Sequence, residues 1–196
     1  MSDFLPLRLM GDLRRRYAEP QRHYHTWVHI EALLGLFHET RGRLHDPAAV
    51  EAAIYYRDAV YDPRQDDNEV RSAALLMREG AEALPPDSLD FARRLIEATA
   101  GHRLPPDLSE TQRADAALFL DMDLSILAAP GPIFAAYEAA IRREYAFVEE
   151  KAYRAGRRKV LEGFLRRDRL YFSEHFAARF ERPARDNLVC SLELLT

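Results

Sequence analysis

The stretch HIEALLGLFHET, residues 29–40, sets Ile30, Leu33, Leu34 and Phe37 at helical spacing. Those positions share one side of an α-helix but would fall on both faces of a strand. The same period runs outward in both directions. Residues 46–62, DPAAVEAAIYYRDAVYD, carry Asp46 as a cap, Pro47 at the first helical position and Pro63 as a stop. Residues 68–84 predict a third helix, with Asp66-x-x-Glu69 resembling a capping box. A fourth follows the break at Pro85-Pro86-Asp87-Ser88. After Pro105-Pro106, residues 111–130 read as helical until Pro130, and residues 133–148 are amphipathic again. The remainder predicts two or three shorter helices broken near Asp168 and Pro183. No alternating strand pattern, repeat or low-complexity linker interrupts this series, so the expected fold is all-α, a single domain over residues 1–196.

Composition narrows the class of function. The chain has 196 residues, 47% apolar and 31% charged, which suits a globular domain rather than a disordered one. A net charge of −4 argues against a nucleic-acid polymer as partner, because that binding needs a basic surface to release counterions. One cysteine, Cys190, permits no internal disulfide, and its apolar neighbours predict a buried packing role. The N-terminal twenty residues lack a basic segment followed by a long apolar run. No uninterrupted apolar run is long enough for a membrane span. The expected compartment is the cytoplasm, with no membrane partner; a homodimer is compatible with all of this.

Four places carry side chains that could do chemistry. In RHYHTWVHI, residues 22–30, His25 and His29 lie four apart and share a helical face. Arg57-Asp58 ends the second helical segment, His102 ends the fourth, and Asp121-Met122-Asp123 interrupts an apolar helix. Carboxylates between Phe119-Leu120 and Leu124 are costly to bury unless something cationic satisfies them. Each has a structural alternative: backbone-bonded histidines, a helix-end aspartate paired to arginine, a DMD acid paired to Arg142 or Arg143. Their joint order along the chain is the stronger signal.

That order is a histidine, an aspartate about thirty positions on, and another some sixty further. It resembles the HD-domain superfamily of metal phosphohydrolases. RHYHTWVHI, DAVYDP followed by DNEVRSA, FLDMDLSIL, IRREYAFV, GRRKVLEGFLRR and ARDNL extend the likeness across nearly the whole chain. Together they resemble a bacterial branch described only as predicted metal-dependent HD phosphohydrolases. The resemblance implies a helical bundle of the HD type and hydrolysis of a small phosphorylated molecule, a nucleotide among the candidates, by metal-activated water. It implies metal ligands at His29, Asp58 and Asp123, with Asp121 as the fallback and His102 as a further ligand. The implied ion is divalent, with Mn, Mg, Co, Fe, Zn and Ni undistinguished.

Asp62 and Glu69, just beyond Asp58, are the candidates to orient or deprotonate the water. His25 would face the substrate. Arg22, Arg103 and Arg57 would meet its phosphate, since a planar guanidinium fork suits phosphate oxygens. The chain departs from the pattern at one position: Arg57 stands where the family has the histidine of its His-Asp pair. A guanidinium stays protonated and has no lone pair for a metal. Two outcomes stay open. The metal binds through the remaining ligands while Arg57 turns away, or Arg57 takes the place of the ion and the protein binds a ligand or partner without hydrolysis.

Overall fold

The computed structural model describes residues 5–195, and residues 1–4 and Thr196 lie outside them. The described residues form nine α-helices and no strand: α1 (Leu7–Tyr17), α2 (Trp27–Thr40), α3 (Pro47–Tyr56), α4 (Asn68–Glu79), α5 (Pro86–Ala98), α6 (Glu110–Asp123), α7 (Gly131–Glu144), α8 (Glu150–Leu165) and α9 (Glu174–Leu194). Short 3₁₀ turns follow α2 and α6. The expected all-α class is what the chain adopts.

The organising element is α3. Asp46 accepts the N–H of Ala49 at 3.0 Å and Pro47 opens the helix, as the sequence predicts. Every residue from Ala49 to Tyr56 is buried, because α3 packs against α2, α4, α5 and α6 at once. A helix enclosed on every side carries its C-terminal residues inside with it, and so Arg57 and Asp58 are buried too. The apolar face of α2 meets α3 and α6 through Ile30, Leu33 and Phe37. From Asp115 to Asp123, α6 is buried continuously. These faces belong to one hydrophobic cluster that reaches from Leu5 to Leu188.

Several local expectations change. The N-cap of α4 is Asp67, without a side-chain cap bond, so Asp66 and Glu69 form no capping box. The chain breaks between α8 and α9 near Asp168, but Pro183 lies inside α9. A proline ring removes one backbone donor and crowds the preceding turn; α9 continues past it because Phe176 before it and Ala184, Leu188 and Ser191 after it are buried. Cys190 is exposed rather than packed, since the buried stripe runs through Leu188 and Ser191 on either side of it. The first helix, α1, carries Leu9, Leu13 and Tyr17 into the core and was not among the sequence expectations. No single helix among the described residues is long and apolar enough to cross a membrane.

Candidate functional site

Three helices deliver the candidate ligands to one point. His29 comes from the first turn of α2, Arg57 and Asp58 from the end of α3, and Asp123 from the last residue of α6. All four are buried, none more than 7% exposed. At their centre is the guanidinium of Arg57. Its Nη1 is 2.5 Å from His29 Nε2 and also donates to Asp58 Oδ2, while Nη2 donates to Asp123 Oδ2 at 3.0 Å.

The protons can be assigned from chemistry. Burial alone would lower the pKa of Arg57, but Asp123 and Asp58 outweigh it and raise it, so the group is a cation. It can then only donate, which makes His29 Nε2 the acceptor. Burial lowers the pKa of His29 and keeps the ring neutral, so Nδ1 holds the hydrogen and faces Tyr24 Oη at 3.1 Å. Burial would raise Asp123; the Arg57 charge and the bond from His102 hold it well below the ordinary carboxylate range.

His102 joins from the turn after α5, its Nε2 2.7 Å from Asp123 Oδ2. Its backbone is left-handed, with φ 45°, a conformation that strains most residues with a Cβ. Arg167 secures the turn by donating to the carbonyls of Gly101 and His102 at 2.9 and 3.0 Å. Tyr17 closes the back of the site, accepting the Asp58 N–H at 3.3 Å and donating to the carbonyl of Tyr55 at 2.9 Å.

The remaining candidates separate from this cluster. Asp121, two residues before Asp123 and therefore about 200° around α6, accepts the N–H groups of Phe172 and Ser173 and the Ser173 hydroxyl. It anchors the start of α9, and burial pushes its carboxyl up to about 6. Arg22 is 5% exposed and ties the loop before α2 to the end of α3, donating to Glu19, to the carbonyls of His25 and Asp58, and to that of Ala59. Asp62 accepts the N–H of Arg64 at 3.0 Å within its own turn. Glu69 lies half-buried in the first turn of α4, on the side of Tyr145, whose pKa its charge helps to raise after burial. Neither acid bonds to His29, Arg57, Asp58 or Asp123. Arg103 is exposed beside His102, and its side chain makes no hydrogen bond among the described residues.

The sequence reading gave no role to Glu144, the last residue of α7, which holds the loop of residues 23–25 and Tyr61. A signal was present: Glu144 follows buried Ala140 and Ile141 by four and three positions, which puts a carboxylate on the apolar side of the helix.

A divalent ion would need the lone pairs of His29 Nε2 and of both aspartates, and these face the guanidinium instead. Among the described residues no group of three or more His, Cys, Asp or Glu is arranged to hold a metal. With Arg57 in this position the residues do not fit an ion. Two surface clefts lie elsewhere. One of about 460 Å³ is lined by Glu149, Arg154, Arg158 and Leu195, and one of about 280 Å³ by Asp12, Arg16 and Glu79.

Compared with protein-family models, curated proteins and solved structures, the chain matches none of them.

Proposed function

We propose that this is an HD-like helical protein in which the guanidinium of Arg57 replaces the metal, and that it binds a small phosphorylated ligand without metal-dependent hydrolysis. The observation that carries this is the bonding of one buried cation to His29, Asp58 and Asp123, the three side chains expected to share an ion. Arg supplies the positive charge that two buried carboxylates require, in a planar form suited to several acceptors at once. It offers no vacant coordination position at which water could ionise. On this reading Arg103, exposed next to His102 in the chain, is the cation that would meet a ligand phosphate. The ligand, a nucleotide among the candidates, remains defined only by that chemistry.

Metal analysis of the purified chain tests the proposal, paired with a phosphatase screen on p-nitrophenyl phosphate and nucleotides in Mn²⁺, Mg²⁺ or Co²⁺. The expected result is a protein without stoichiometric metal or metal-dependent turnover, and an Arg57→His variant that acquires an ion. Stoichiometric metal in the wild-type chain, with hydrolysis abolished by Asp58→Ala, would overturn it.

That overturning result is the second reading: a metal-dependent phosphohydrolase in which Arg57 swings aside. One observation favours it. His29, Asp58, Asp123 and His102 already converge, so displacing a single side chain would leave four donors around one space.

A further inference from the structure

One carboxylate in this protein serves five donors. Glu144 Oε1 accepts the backbone N–H groups of His23, Tyr24 and His25 at 2.7, 2.7 and 3.0 Å. Glu144 Oε2 accepts the Tyr61 hydroxyl at 2.8 Å and lies 2.7 Å from His25 Nδ1. Burial would raise the Glu144 pKa, but the His25 and backbone bonds outweigh it and hold it at about 2. An ionised carboxylate has no hydrogen to give, so Nδ1 of His25 must donate. In the neutral ring Nε2 is then a bare lone pair.

No group among the described residues takes that lone pair. His29 has both nitrogens engaged, and His102 directs Nε2 at Asp123. The His25 side chain is 16% exposed and lies against Tyr61, with ring centroids 4.3 Å apart, and Tyr24 at 5.0 Å. Its ring centroid is 6.4 Å from that of His29, at the rim of the buried cluster. An orienting carboxylate, a fixed tautomer and an accessible free nitrogen are the parts of a positioned proton acceptor.

We propose that His25 is a reactive centre of this protein, a metal-independent proton acceptor whose Nε2 takes a hydrogen bond from a hydroxyl of a small ligand. Glu144 is its positioning residue. A phosphate oxygen offers no hydrogen to that lone pair, so a hydroxyl-bearing part of the ligand is what the position selects. The centre is independent of the Arg57 site and stands whether that site holds a guanidinium or an ion.

Long-range ¹H–¹⁵N correlation spectra of the histidine-labelled full chain read the tautomer directly. Wild-type His25 is expected as the Nδ1–H form. In Glu144→Gln the three backbone donors keep the amide oxygen at Oε1. The amide NH₂ then faces Nδ1, and the tautomer reverses. Diethyl pyrocarbonate gives a second reading, because the imidazole lone pair attacks its carbonyl carbon and expels ethyl carbonate, which takes up the displaced proton and decays to carbon dioxide and ethanol. Carbethoxylation of His25 should be several-fold faster in wild type than in E144Q, with exposed His23 unchanged as the internal control. An Nε2–H tautomer in the wild-type chain, or equal His25 rates in the two proteins, overturns the proposal. Should E144Q not fold, the wild-type spectrum decides alone, and Tyr61→Phe, which leaves Glu144 in place, is expected to keep the Nδ1–H form.

Discussion

A leucine at position 57 would leave Asp58 and Asp123 facing each other in the core without a cation. Breaking a buried ion pair from one side costs roughly 3–5 kcal/mol, and that is the loss expected for Arg57→Leu in urea unfolding at neutral pH. The pH dependence follows with its sign. Without the guanidinium Asp123 loses the charge that holds its carboxyl down and its folded-state pKa rises, so the penalty is greatest at high pH and shrinks as acidification protonates it. Glu144 behaves oppositely. Its carboxyl is depressed from 4.5 to about 2, so its contribution is complete above pH 4.5 and disappears as the pH falls toward 2. Urea midpoints across that window should fall less steeply in E144Q than in the wild type. Residues are also where the sequence was least legible. That His29, Asp58 and Asp123 would meet was implied by the resemblance their order along the chain carries. What Asp62, Glu69 and Arg22 would touch could not be read, because turn geometry and long side chains decide their contacts after the helices have packed.

Along α6 three buried acids do three different things: about 200° of rotation separates Asp121 from Asp123, and about 12 Å of helix rise separates Asp115 from Asp123. Asp115 accepts the N–H groups of His45 and Asp46 at the start of α3, Asp121 those of Phe172 and Ser173 before α9, and Asp123 faces the cluster. Asp121→Ala should therefore lower stability by roughly 1–3 kcal/mol, the cost of stranding buried donors. It should do so without changing the metal gained by Arg57→His, whereas Asp123→Ala should abolish that gain. The DMD motif marked two of these three carboxylates in advance, and Asp115 was not singled out. Which of them faced the site was a matter of two residues of rotation, and the sequence favoured Asp123 only through the resemblance. Helix α9 shows the limit of local rules from the other direction. Pro183 reads as a break, yet tertiary burial on both sides carries the helix through it. Pro183→Ala restores a backbone donor at an exposed position and is expected to raise the melting temperature.

At the scale of the whole molecule, the periodicity of apolar residues was enough to give the all-α class, because helix after helix had a face that needed covering. The arrangement of those faces depends on contacts distant in sequence, such as Glu144 with the loop at His23–His25 and Arg167 with the turn at His102. No local pattern encodes such pairings. They also mean that the cluster is assembled only when α2, α3, α5 and α6 are all in place. Thermal melts in EDTA and in excess Mn²⁺ should accordingly coincide for the wild-type chain. For Arg57→His, Mn²⁺ at a hundred times its dissociation constant should add about 2.7 kcal/mol by mass action.

A charge carried on a side chain is made by the ribosome, in fixed proportion to the protein, and cannot be leached out. The core around Arg57 is therefore complete as soon as the polypeptide folds. On the proposed reading it needs no loading step, no supply of trace elements and no protection from chelators, and the scaffold keeps the same form in a metal-starved cell as in a replete one.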